Sequence, residues 1–332
     1  QAVDQALADI WGTPDEPKSP QGVGLDDDLL TRAGGAVAST GDGTRYGLYR
    51  DHCAVCHGVG GDGTGSLATT FDPYPRDFRS ATFKYTSTRA GAQPLLEDLR
   101  RILVDGIPGS GMPAFGELPQ AEIDALAEYS KYLSLRGQTE AYLMELVVDE
   151  DEYLPLGVDA LEDVMDEAVL YSAGLWTEVE EGRGEYVISP PPREPTETPE
   201  LWAASVDRGR ELYAGEIAKC VECHGPDGAG DGENTDLFDD WNKPKAGLTK
   251  KKTAQRAKLY FLPIQRLRAR DFRRGNFRGG NRPEDLFLRI HAGIKGTPMP
   301  AAGPSPGAAG AYTEDEIWHV VNYVLSLAGA EQ

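Results

Sequence analysis

The stretch Cys53-Ala54-Val55-Cys56-His57 and its second copy, Cys220-Val221-Glu222-Cys223-His224, constrain this chain more than any other feature. Two thiols three positions apart, with an imidazole directly after the second, form the pattern of covalent haem attachment. On one turn of helix both sulfurs can reach the two vinyl groups along one porphyrin edge, while the adjacent His brings its ring under the iron. A C-x-x-C pair also serves zinc sites, which need further Cys or His ligands at matching spacing, and thioredoxin-like dithiols, which need a βαβ surround. All four Cys lie in the two motifs and no βαβ pattern is visible, so neither alternative fits.

At 332 residues and 40% hydrophobic content, the chain is long enough for two or three globular domains. Its longest apolar runs, such as Val320 to Leu327, fall well short of the roughly eighteen residues of a membrane span. The chain starts at Gln1 without a basic or apolar leader, giving the expectation of a removed export signal or N-terminal anchor. The net charge of -21 is concentrated in residues 138–200, which hold 2 basic and 18 acidic side chains. Such a balance argues against nucleic acid or anionic lipid as a partner.

Residues 1–42, with loop-like clusters such as Gly12-Thr13-Pro14-Asp15-Glu16-Pro17, read as an irregular arm. Residues 43–137 read as a small helical domain. Tyr46, Leu48 and Tyr49 lead into the first motif, and a glycine-rich turn, Gly58 to Gly63, follows it. Two amphipathic helices then start near Pro94 and Pro119. Residues 138–203 read as an acidic linker. Val158, Leu161, Val164, Met165, Ala168 and Ser172 make one face of a docked helix there, and Pro190 to Pro195 an extended end. Residues 204–332 repeat the plan of 43–137. Asp98-Leu99, Gly106-Ile107 and Met112-Pro113 match Asp285-Leu286, Gly293-Ile294 and Met299-Pro300 at one constant offset. Arg-Asp-Phe-Arg occurs at 76–79 and 270–273, followed by Phe83-Lys84 and Phe277-Arg278. This is an internal duplication whose second copy carries a longer insert, from about Gly232 to Leu267. Thr313 and Glu316 form a capping-box pattern before its last helix.

Iron held by His keeps one axial position, and its occupant sets the function. Met112 and Met299 each sit in a Gly-rich, Pro-flanked loop just before the last helix of their copy, which makes them candidate sixth ligands; the bland alternative is a gap-filling side chain. Met144 and Met165 fall on apolar helical faces. His52, directly before Cys53, is too constrained by the motif to reach the iron and reads as a surface or hydrogen-bonding side chain, whereas His291 and His319 lie outside the shared plan and read as structural. Arg76, Arg79, Lys84, Arg270, Arg273 and Arg278 either meet anionic propionates or pair locally with Asp77 and Asp271. The basic run from Lys243 to Arg274 offers a surface either to the acidic linker or to an acidic partner.

On these motifs both copies resemble class I c-type cytochrome domains, and the chain resembles a bacterial dihaem cytochrome c. The resemblance implies a mainly α fold of two tandem cytochrome c domains, which in this chain are joined by the acidic, partly helical linker read above. It implies two haem c groups, one per domain. Cys53 and Cys56 would bind one haem and Cys220 and Cys223 the other, with His57 and His224 as proximal iron ligands and Met112 and Met299 as distal ones. It further implies a periplasmic compartment and redox protein partners. With every Cys holding haem, no disulfide would form. The function expected is electron transfer rather than catalysis, in a respiratory chain or with a redox enzyme. A dihaem peroxidase, which needs one iron to open for peroxide, and a sensor that releases one Met are the competing readings.

Overall fold

Apolar side chains at helical spacing carry nearly all of the regular structure. The computed structural model describes residues 2–147, 158–193, 196, 198–240 and 262–329. The protein is mainly α-helical, as expected; among the described residues the strands are the two-residue pair Ala38–Ser39 and Arg45–Tyr46. The chain divides into two compact units. Unit 1 comprises Gln1–Phe83, Gln93–Val104 and Ala114–Gly182; unit 2 comprises Lys84–Ala92, Asp105–Pro113 and Arg183–Gln332. No helix among the described residues is long and apolar enough to cross a membrane.

Unit 1 contains helices α1 (Ala2–Trp11), α2 (Asp27–Ala33), α3 (Leu48–His52), α4 (Ala54–His57), α5 (Leu96–Asp105, whose last residue groups with unit 2), α6 (Gln120–Val147) and α7 (Val158–Glu181). The arm expected to be irregular over residues 1–42 therefore holds two helices. The reason is tertiary. Val3, Ala6, Leu7 and Trp11 form one buried stripe that packs on α6 and α7, in a segment too short to show a strong period by itself. Helix α2 starts at Asp26, whose carboxylate accepts from the backbone N–H groups of Asp28 and Leu29 at 3.0 and 3.1 Å.

Helix α6 also runs straight through the domain boundary expected after residue 137. No Pro stops it there, and Thr139 and Leu143 continue its buried stripe. Gly137 stays in the helix because the backbone of Arg79 lies where its Cβ would be, so the helix accepts the turn Phe78–Ser80 at this point. The acidic helix expected in the linker exists as α7 and docks on α6. Met165, Ala168 and Ser172 are buried and Asp166 and Glu167 exposed, as the pattern requires. Thr139 Oγ1 donates to Ser172 Oγ at 3.2 Å, and Trp176 Nε1 donates to Gln138 Oε1 at 3.1 Å. The side chains of Val158 and Leu161 lie outside the described residues, as do Lys250, Lys251, Lys252 and most of the basic run.

Unit 2 contains α8 (Arg183–Tyr186), α9 (Pro199–Ala214), α10 (Cys220–His224), α11 (Pro283–Ala292) and α12 (Glu314–Leu327). Thr198 caps α9, with Pro199 at its first turn. The expected capping box of Thr313 and Glu316 opens α12. Helices α9 and α12 cross in close contact at Gly209, where any Cβ would collide with the carbonyl oxygen of His319. Leu212, Phe277, Leu286, Phe287, Trp318 and Val321 form the core beneath. The Thr88 to Val187 bridge and Ile188 N–H donating to the Ser87 carbonyl at 2.9 Å fix residues 84–92 within this unit.

Candidate haem-binding sites

Each C-x-x-C-H motif forms a single helical turn, as placing two sulfurs and an imidazole together requires. In unit 1 the Cys53 carbonyl accepts from His57 N–H at 2.9 Å, and in unit 2 all of Cys220, Cys223 and His224 lie in α10. The glycine-rich segment after each motif folds back over it. Gly63 N–H donates to the His57 carbonyl at 2.8 Å, and Gly230 N–H to that of His224 at 2.9 Å. Gly65 and Gly232 then donate to Cys56 and Cys223, at 3.1 and 3.2 Å. These loops wrap the motif's own backbone.

Each imidazole is oriented the same way. His57 Nδ1 lies 2.9 Å from the Arg76 carbonyl oxygen and His224 Nδ1 3.4 Å from that of Arg270. A carbonyl only accepts, so Nδ1 carries the hydrogen and Nε2 presents a lone pair, the tautomer that ligates a metal. The Phe78 ring stacks on His57 at 4.5 Å and Phe272 on His224 at 4.4 Å. Burial lowers the His57 pKa to about 4 and lowers that of His224, so both rings stay neutral and ligand-competent. Burial likewise pushes the Cys53 thiol up to about 12 and raises those of Cys56, Cys220 and Cys223. Tyr49 OH donates to the Gly58 carbonyl at 2.9 Å and Tyr213 OH to that of Gly225 at 2.6 Å, pinning the residue after each His.

The Arg-Asp-Phe-Arg repeats serve this grip. Asp77 and Asp271 cap short turns and hold Arg79 and Arg273 through paired hydrogen bonds of 2.9 to 3.1 Å, so these two Arg take the local pairing weighed above. The first Arg of each repeat supplies the carbonyl that orients the imidazole. The sequence repeat marked these stretches, but it did not disclose that backbone role or the Phe that stacks on each His.

Met112 and Met299 occupy equivalent turns. In one, Ile107 N–H donates to the Met112 carbonyl at 3.1 Å, Ser110 Oγ donates to the Ile107 carbonyl at 2.8 Å, and Met112 N–H donates to Ser110 Oγ at 3.2 Å. In the other, Ile294 N–H donates to the Met299 carbonyl at 3.1 Å, Thr297 Oγ1 to the Ile294 carbonyl at 2.7 Å, and Met299 N–H to Thr297 Oγ1 at 3.2 Å. A hydroxyl two residues before the Met closes both turns. The turn of Met112 groups with unit 2, whereas Cys53, Cys56 and His57 lie in unit 1.

Unit 2 brings its four candidate residues together. Cys220, Cys223, His224 and Met299 line one cavity of about 490 Å³. Tyr312, Val320 and Val324 add apolar wall, and Lys84, Arg268, Arg270, Arg278 and Arg289 supply cations. The described ends of the insert, Leu237 and Leu267, also line it and are joined by a 2.8 Å backbone hydrogen bond. Two thiols, a neutral imidazole, a thioether residue, an apolar lining and several cations fit an iron porphyrin with two carboxylates. Groups of three or more His, Cys, Asp or Glu able to hold a bare metal ion are absent among the described residues.

Residues 44–129 match the family of cytochrome c oxidase, cbb3-type, subunit III, and residues 206–328 match the cytochrome c family. The chain is a tandem of two cytochrome c domains. Each domain binds one covalent haem c, and the tandem serves haem-based electron transfer. This tandem cytochrome is similar to a chain of the reducing HAO-like protein complex of Kuenenia stuttgartiensis, with 26% identity and a TM-score of 0.56. The likeness covers 85% of this chain and 94% of that one. No curated protein sequence matches it. The remaining His are accounted for by packing: His52 Nε2 lies 3.0 Å from an Arg45 nitrogen, His319 Nδ1 lies 2.8 Å from Ser205 Oγ, and His291 is buried beside Phe287.

Proposed function

We propose that this tandem cytochrome is an electron carrier whose two irons are each held between His and Met: His57 with Met112, and His224 with Met299. The observation that carries this reading is the shared hydrogen-bonding of the two Met turns, which gap-filling side chains would not require. Haem iron supplies a one-electron couple, and a thioether ligand raises its potential relative to two imidazoles. The chain's own part is to keep each imidazole neutral by burial and oriented through Nδ1–H, to place the Met turns, and to meet the propionates of the second haem with cations such as Arg268 and Arg270.

The carrier works in the periplasm, where covalent haem attachment in cytochromes of this kind takes place, and it passes electrons to or from a larger redox protein. The likeness to a chain of a HAO-like complex supports such a partner over a freely diffusing small-molecule substrate. The oxidised protein is expected to show the sulfur-to-iron charge-transfer absorption at an intensity corresponding to both haems, with no peroxide turnover. Met112→Ala and Met299→Ala are each expected to remove half of that absorption. Full intensity in either variant would overturn the assignment of that Met, and cell fractionation tests the compartment.

A further inference from the structure

Each Met turn is held by residues from the other copy of the duplication. The Gly109 carbonyl, in the turn of Met112, accepts a hydrogen bond from Arg278 Nε at 3.1 Å. Gly109 has φ +73°, and a Cβ there would lie 3.0 Å from Asn276 Nδ2. Arg278 and Asn276 follow the second Arg-Asp-Phe-Arg. In the turn of Met299, Lys295 Nζ donates to Thr88 Oγ1 at 2.6 Å and to the Ala92 carbonyl at 2.8 Å. Thr88 is wholly buried and follows the first Arg-Asp-Phe-Arg. All of these residues belong to unit 2.

A thioether is a weak, neutral ligand, so how firmly it stays depends on how firmly its loop is held. Hydrogen bonds from a cation to backbone carbonyls are among the stronger ones available for that purpose. We propose that Arg278 is a positioning residue for Met112, and that Lys295 with Thr88 does the same for Met299, so that each sixth ligand is kept in place by the opposite copy. This rests on the His/Met reading above. Its consequence is a closed iron at both sites, which lets electrons pass while small molecules are kept from binding.

The test uses the oxidised holoprotein with imidazole as an added ligand. Imidazole replaces the thioether: the iron–sulfur bond breaks, an iron–nitrogen bond forms, and the iron's oxidation state does not change. Loss of the charge-transfer absorption then follows two phases, which Met112→Ala and Met299→Ala assign by each removing one. Arg278→Gln is expected to speed the Met112 phase about tenfold, the order set by one hydrogen bond from a charged group, and the Met299 phase, whose haem cavity Arg278 also lines, by much less. Lys295→Met is expected to do the reverse. Arg278→Lys keeps the cation without Nε and falls between parent and Arg278→Gln; it carries the test if Arg278→Gln does not accumulate. A variant that leaves its own phase at the parental rate overturns the tie at that turn. Equal acceleration of both phases overturns the crossed arrangement. If Met112→Ala keeps both phases, the ligand reading is what has failed, and that outcome is separate from any result with Arg278.

Discussion

The two copies agree at the haem motif and differ in what covers it. Around His57 and His224 the same Tyr, the same returning glycine, the same carbonyl and the same stacked Phe recur, although the carbonyl lies 2.9 Å from the first imidazole and 3.4 Å from the second. The helices above do not recur. In unit 2 the 16-residue helix α9 crosses α12 at Gly209. In unit 1 the position before the motif is filled by the 5-residue α3, and α1, α2 and α7 cover the long helix α6. The grip on the cofactor is fixed by its chemistry, whereas the cover needs only to bury apolar surface, which different helices do equally well.

The largest test of that contrast is Gly209→Val. It forces a side chain into the His319 carbonyl and is expected to cost about 3 kcal/mol or more by overpacking. The melting temperature of unit 2 should fall, while unit 1, whose α6 is covered by α1, α2 and α7, should unfold at the parental temperature in calorimetry. An equal fall in both units would break the comparison.

A second difference is His291, which has Val104 at the matching place in the first copy and is 2% exposed. Burial, helped by the charge of Arg89, lowers its pKa from 6.5 to about 4; the Glu314 carboxylate, 3.8 Å away, faces it without a hydrogen bond. The unfolded chain therefore takes up this proton below pH 6.5, and the folded chain only near 4. Stability is lost as pH falls through that window and is unaffected above it, by an amount on the order of 2–3 kcal/mol. Chemical denaturation at pH 7 and pH 4.5 should show the loss shrinking in His291→Leu; an unchanged difference would remove His291 from the account.

The smallest effect sharpens the likeness instead. Tyr49→Phe and Tyr213→Phe each leave the carbonyl after the ligand His without its donor and are expected to cost about 1–2 kcal/mol apiece. Unequal costs, measured by denaturant titration of the two variants, would show that the two grips are not equivalent.

The chemistry of the second site was legible in the sequence because covalent attachment demands a fixed order of residues, and the duplication pointed to the Met turns. Residues 1–42 were misread because α1 and α2 owe their helicity to burial against α6, α7 and neighbouring chain, a contact no local pattern encodes. The continuation of α6 past the expected boundary at 137 depends on Gly137, whose missing side chain admits the backbone of Arg79, a residue 58 positions earlier in the chain (137 − 79). The Ser110 and Thr297 hydroxyls that close the Met turns carried no signal either, since a single hydroxyl two residues before a Met is unremarkable until its acceptor is known.

Duplicated proteins are often treated as beads that can be cut apart and studied singly. The turn of Met112 belongs with Asn276 and Arg278, and the turn of Met299 with Thr88 and Ala92, so a cut between the copies would sever each turn from the residues that hold it. With such an exchange in place, a substitution in one copy loosens a turn of the other.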